Sequence, residues 1–123
     1  MLLKADADNE IRLGVKDGGA NDIRSRYEAA TTVEVNVHTV STTAWFSLAM
    51  SWSAADDKVR YYLNGAPDGA AGTGLGVWAG NIGSALIGAS TTGPLAPWNG
   101  YIAHMVVWDR ALTPAEVLSL GVL

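Results

Sequence analysis

Three carboxylates open the chain in the run DADNE, with Asp6, Asp8 and Glu10 at alternate positions. On a strand that spacing would put all three on one face, where crowding raises one pKa and sets a general acid beside a nucleophile, the arrangement that cleaves glycosidic bonds. Two of the three are short aspartates, however, and Asp and Asn suit a turn better than a strand interior. The run is therefore expected to be a solvated turn. GTGLG, at 72–76, has glycines at the wrong offsets for a phosphate cradle, and no amphipathic helix follows it. No Gly-x-Ser-x-Gly is present, and His38 and His104 are the only histidines for a hydrolytic relay. His38 is expected on the wet face of a strand, and His104 on a buried strand with its hydrogen bond satisfied.

The elements that would position such groups follow from composition and pattern. A chain of 123 residues is long enough to bury one core, and 1–123 is expected to be a single domain. With no cysteine, disulfides, thiolate zinc sites and cysteine nucleophiles are excluded, while the compartment is left open. A net charge of −4 with eight Lys and Arg in no cluster argues against nucleic acid. The start, MLLKADADNE, has neither the apolar core of a signal peptide nor a membrane span, so no membrane insertion is expected.

Ile11, Leu13 and Val15 alternate with Arg12 and Lys16, and after the turn DGGAND, Ile23, Ser25 and Tyr27 alternate with Arg24, Arg26 and Glu28, which predicts a hairpin. Val33, Val35 and Val37 against Glu34, Asn36 and His38 predict a third strand with one wet face. AWFSLAMSWS is apolar on both parities and should lie centrally, covered on both sides. Val59, Tyr61 and Leu63 form a strand that ends in the tight turn Asn64-Gly65. The glycine-rich stretch 66–81 reads as a loop, and SALIG and GYIAHMVVW complete the strands. A short helix closes the chain: Thr113 caps it, Pro114 takes the first position, Glu116 completes a capping box, Leu112 and Val117 form a staple, and Gly121 is placed for a left-handed end. Too short to stand alone, this helix must rest Val117 and Leu120 on a sheet.

In order, Trp45 with FSLAMSW, VRYYLNG, SALIGA and GYIAHMVVWDRALTPAEVLSL resemble the laminin-G-like members of the concanavalin A-like lectin/glucanase superfamily, from roughly Thr43 to Leu120. DRALTPAEV is the most specific piece. The resemblance implies an all-β, antiparallel jelly-roll β-sandwich with one short C-terminal helix, and Trp45, Trp52 and Trp108 packed in core strands. It also implies that the family's first strands are missing here, which leaves an open sheet edge for a second copy, as a homo-oligomer, or for a protein partner. Glycanases of the superfamily carry Glu-x-Asp-x-Glu where DADNE has Asp first, so a vestigial glycoside hydrolase is the weakest reading. The acid usual after the isoleucine of the last strand is replaced here by Ala103 and His104, so no role of that acid carries over. An extracellular or virion-surface setting is implied as well.

Several relatives use calcium, and Asp56, Asp57, Asp68, Asn81 and Asp109 could supply oxygen ligands, although they lack the spacing of a calcium loop. Asp109 also has a structural reading, pairing with Arg110 or capping the turn before the helix. No other cofactor is called for. Trp78 and Trp98 sit in the loops GVWAG and APWNG, where no periodicity asks for a large ring, and sugars stack their C–H faces on such rings. The expected ligand set is Trp78, Trp98, Asn99, Tyr101, Tyr62 and Arg60. The resulting expectation is a non-catalytic module that binds a carbohydrate or glycoconjugate, with a structural or assembly domain as the alternative.

Overall fold

The computed structural model describes residues 1–15, 22–39, 44–89 and 97–121. Eight strands and one helix follow in order: β1 Leu2–Lys4, β2 Asn9–Val15, β3 Asp22–Ala29, β4 Thr31–Thr39, β5 Leu48–Ser53, β6 Lys58–Leu63, β7 Ala66–Pro67, β8 Ser84–Leu86 and α1 Pro114–Leu120. They form a five-stranded antiparallel sheet ordered β4-β3-β2-β1-β8 and a three-stranded one ordered β5-β6-β7.

The alternation in the sequence sets which faces meet. In β3, burial switches residue by residue, with Ile23, Ser25, Tyr27 and Ala29 inward and the charged residues outward. The register pairs Ile11 with Tyr27 and Leu3, so one apolar face runs across three strands. Val59 and Tyr61 of β6 close on that face, and Leu75 of the glycine-rich loop joins them; Phe46, Leu48, Met50, Trp52 and Trp78 pack around the edge. Each such side chain taken fully out of water contributes about 1.5–3 kcal/mol before entropy is counted, and this sets the two sheets together as a β-sandwich.

The glycine-rich loop crosses the end of the sandwich at backbone distance. At Gly76, where φ is +71°, a Cβ would collide with the Ala29 carbonyl oxygen. Glycine is required there on both counts. Asp57 anchors the same loop from below, its two carboxylate oxygens accepting from the Gly74 amide (3.0 Å) and its Oδ1 also from the Leu75 amide (2.8 Å).

Helix α1 lies against the outer face of the smaller sheet. Its capping box is formed in both directions, and Val117 is buried. Ser51 Oγ donates to the Leu112 carbonyl (3.1 Å), which ties the approach to the helix onto β5. The helix end differs from the sequence expectation: Gly121 has φ −84° and is not left-handed. What demands glycine is contact, because a Cβ at 121 would overlap the Gly65 amide nitrogen and Cα in the Asn64-Gly65 turn. Leu120, expected to rest on the sheet, is half-exposed, so Val117 alone holds the apolar face.

Further corrections concern the strands. β1 was not expected; it pairs with β2 and β8 and gives the five-stranded sheet its continuity. Among the described residues β5 is an edge strand, not a central one, and Trp45 precedes it at 62% exposure. GYIAHMVVW forms no strand. Residues 101–108 are exposed and have no ladder partner among the described residues, so Trp108 and His104 are uncovered rather than packed. An apolar run becomes a strand only when a neighbour takes its backbone groups, and no described strand does so. The turn DGGAND, apart from its final Asp22, and the His38 side chain lie outside the described residues.

Candidate functional site

The carboxylates of DADNE do not converge. Asp6 Oδ1 accepts from the Asp8 amide (2.9 Å) and from Asn9 Nδ2 (3.0 Å), and these hydrogen bonds hold its carboxyl below the usual range. Asn9 Oδ1 in turn accepts from the Ala79 amide (2.9 Å), linking the β1-β2 turn to the loop that carries Trp78. Glu10 is the only one of the three on a strand. It is buried on the outer face of the larger sheet, with Arg12 Nε 2.9 Å away and Lys4 Nζ at 3.9 Å, a charge contact without the alignment of a straight hydrogen bond. A turn staple and an ion-paired glutamate leave no pair of carboxylates across a cleft.

That outer face is a lattice of opposite charges. Arg24 pairs with Glu34 (2.8 Å) and Arg26 with Glu28, and the register sets Arg12 beside Arg26 and Glu10 beside Glu28. Near the helix, Arg110 forks onto Glu116 at 3.0 and 2.7 Å, while the Thr113 amide and hydroxyl add two more donors. The Arg110 hydrogen bond first and the Thr113 amide second hold the Glu116 carboxyl down to about 2. Arg110 therefore takes Glu116 as its direct partner, and Asp109 beside it is exposed.

The expected ligand residues fall in three places. Trp78 is half-buried, its ring 6.1 Å from that of Tyr27 at 54° and its Nε1 donating to the Gly80 carbonyl (3.1 Å), so it roofs the core. Tyr62 is buried at 1% exposure on β6, and burial pushes its phenol up. Arg60, two residues before it on the same face, lines a cleft instead. Trp98, Asn99 and Tyr101 stay together on one segment. The Trp98 amide donates to the Gly88 carbonyl (2.7 Å), its ring lies over Gly100, and Tyr101 projects into solvent at 87% exposure.

The calcium candidates are also spread out. Both oxygens of Asp57 are engaged by the loop amides, which lowers its pKa; the Asp56 amide donates to Ser53 Oγ (3.2 Å), and Asn81 and Asp109 are exposed. Asp68 keeps one carboxylate oxygen buried without a partner. Among the described residues, no three His, Asp or Glu side chains come together as a metal would require.

One feature was missed in the sequence. A cleft of about 180 Å³ lies between the outer face of β5-β6 and the approach to α1, lined by Ser51, Ser53, Asp56, Lys58, Arg60 and the stretch 111–114. Its signal was present in the polar parity of two strands: Ser51 and Ser53 on one, Lys58 and Arg60 on the other, paired in register as Ser51 with Arg60 and Ser53 with Lys58.

A sandwich of two antiparallel sheets closed by a capped helix defines the class, and comparison with known proteins agrees. The laminin G type 3 family model, described as concanavalin A-like lectin/glucanases superfamily, matches residues 1–118, and the chain belongs to that family. Among solved structures it is similar to a crystal structure of an S-layer domain-containing protein (residues 221–444) from Clostridium thermocellum, at 20% identity and a TM-score of 0.57. That match covers 94% of this chain and 58% of the other, and at this identity it speaks for the fold alone. Membership of the family marks a binding or structural module. No helix among the described residues is long and apolar enough to cross a membrane.

Proposed function

We propose that this domain is a non-catalytic module that recognises a carbohydrate or glycosylated surface through the aromatic segment 98–101. The observation that carries the reading is Tyr101, which is 87% exposed on the same short segment as the exposed Asn99 and the half-buried Trp98. A flat apolar ring with a polar side chain alongside meets both the C–H face and the hydroxyls of a sugar. Trp98 fixes the segment, its amide donating to the Gly88 carbonyl (2.7 Å) and its ring lying against Gly100. The test is a glycan array probed with the wild-type protein and Tyr101→Ala: binding lost in the variant, with an unchanged melting curve, supports the assignment. Equal binding by both proteins removes Tyr101 from the site.

A second reading is an assembly domain, and the run 101–108 favours it. Ile102, Met105, Val106, Val107 and Trp108 are all exposed on a backbone with no ladder partner among the described residues, a surface that self-association would cover. Light scattering over a concentration series separates the two: a defined oligomer that Val106→Lys dissolves supports assembly, and a monomer at high concentration contradicts it.

A further inference from the structure

The domain carries a net charge of −4, yet among the described residues two of its Lys and Arg side chains have no carboxylate within ion-pair reach, and they stand at neighbouring outward positions of one strand. Of the eight Lys and Arg, Lys16 lies outside the described residues, and Lys4, Arg12, Arg24, Arg26 and Arg110 each stand within ion-pair reach of a glutamate. The remaining two, Lys58 and Arg60, have no carboxylate within that reach among the described residues. They occupy successive outward positions of β6 and both line the 180 Å³ cleft under the approach to α1.

The rest of the lining suits an anion. Ser53 Oγ accepts the Asp56 amide proton (3.2 Å), so its own hydroxyl proton is free to donate into the cleft. Ser51 Oγ donates to the Leu112 carbonyl (3.1 Å) and can still accept from a ligand hydroxyl. Arg60 is half-buried and fixed on a strand, which favours a planar, two-oxygen partner; Lys58 is exposed and adds charge at the mouth. Asp56 is the one acid in the lining and stands beyond ion-pair reach of either cation. The cleft opens to solvent on one side, so a group bound there can belong to a larger molecule.

We infer that this cleft is a subsite for the carboxylate of an acidic saccharide, with Arg60 as the forked partner, Lys58 as the second charge and Ser53 as a neutral donor. The inference rests on the carbohydrate reading above and narrows it to glycans that carry uronic acid. Because the protein as a whole is acidic, the preference is local and does not arise from long-range steering.

The experiment compares uronic acid trisaccharides with their methyl esters, which differ in charge and hardly in shape, by calorimetry and by amide shifts in NMR. The wild type is expected to bind the acid about tenfold more tightly than the ester. Lys58→Ala and Arg60→Gln should each remove most of that difference, Asp56→Asn should enlarge it, and melting curves should stay in place. Shifts should centre on Ser53, Lys58 and Arg60. Equal binding of acid and ester, or a difference that survives both cation variants, overturns the subsite; if that binding still requires Tyr101, the carbohydrate reading stands without it. Binding of free acetate or sulfate at Lys58 and Arg60, with no saccharide bound at all, overturns the saccharide assignment. A sulfated trisaccharide preferred over the uronic one overturns the carboxylate.

Discussion

Gly121→Ala tests whether helix α1 is seated on the Asn64-Gly65 turn as described. At φ −84° and ψ 0° alanine meets no backbone strain, so the whole effect is steric. The new methyl would overlap the Gly65 nitrogen and Cα and stand 2.8 Å from the Asn64 carbonyl carbon, all backbone atoms that cannot rotate away. Two responses are open. Forcing the methyl in costs about 1–3 kcal/mol as overpacking, and lifting the helix end exposes Val117, whose burial contributes about 1.5–3 kcal/mol. Alanine also restricts the unfolded chain, which returns about 0.4–1 kcal/mol. The expected net loss is about 2 kcal/mol, a large share of a stability of about 5–15 kcal/mol, and about 8 °C in melting temperature. Urea and thermal unfolding followed by far-ultraviolet circular dichroism read it directly. Gly14→Ala is the control, since a Cβ there meets nothing within 4 Å and is expected to change stability by no more than about 0.5 kcal/mol. A Gly121→Ala protein as stable as the wild type would refute the seating of the helix.

Glu116 should give the acid limb of the stability curve: its carboxyl is held from an ordinary 4.5 down to about 2, so the contribution is present above pH 4.5 and lost as pH falls through 2. Glu116→Gln should flatten the change in melting temperature across that window, and an unaltered slope would contradict the Arg110 pairing. Asp57→Ala should release the glycine-rich loop, seen as faster hydrogen exchange at the Gly74 and Leu75 amides together with a lower melting temperature. Trp78→Ala should cost about 3 kcal/mol by opening the core beside Tyr27 while leaving glycan binding intact, whereas Trp45→Ala should fall within about 1 kcal/mol of wild type. Both are read from urea midpoints at constant m-value.

The sequence carried the strands whose faces differ and lost those whose faces do not. β3 was readable because Arg24, Arg26 and Glu28 alternate with Ile23, Ser25 and Tyr27, and a slip of one residue would bury three charges. The capping box was readable because Thr113, Pro114 and Glu116 are local to one turn. β1 was not: Leu2, Leu3 and Lys4 are too few to show a period, and their pairing with β8 spans most of the chain. GYIAHMVVW shows the limit from the other side, since apolar residues on both parities state what a segment would bury, not whether a neighbour is there. Gly121 was placed correctly for the wrong reason, because contact with Gly65 leaves no trace in local pattern. For the candidate site, residue type pointed to Tyr101, which is exposed, and Arg60, which lines the cleft, but also to Trp78, which packs on the core, and Tyr62, which is buried, because an aromatic in a loop or on a wet parity can still be covered by another element. Lys58 stands out only against the pairing of Lys4, Arg12, Arg24, Arg26 and Arg110, which no local pattern shows.

The central claim is that the segment 98–101, with Tyr101 exposed, makes this domain a carbohydrate-binding module, and glycan-array binding by the wild type beside Tyr101→Ala tests it most directly. Selective binding of a set of glycans that disappears in the variant, with the melting curve unmoved, is the result expected. No glycan bound by the wild type, or the same glycans bound equally by both proteins, contradicts it.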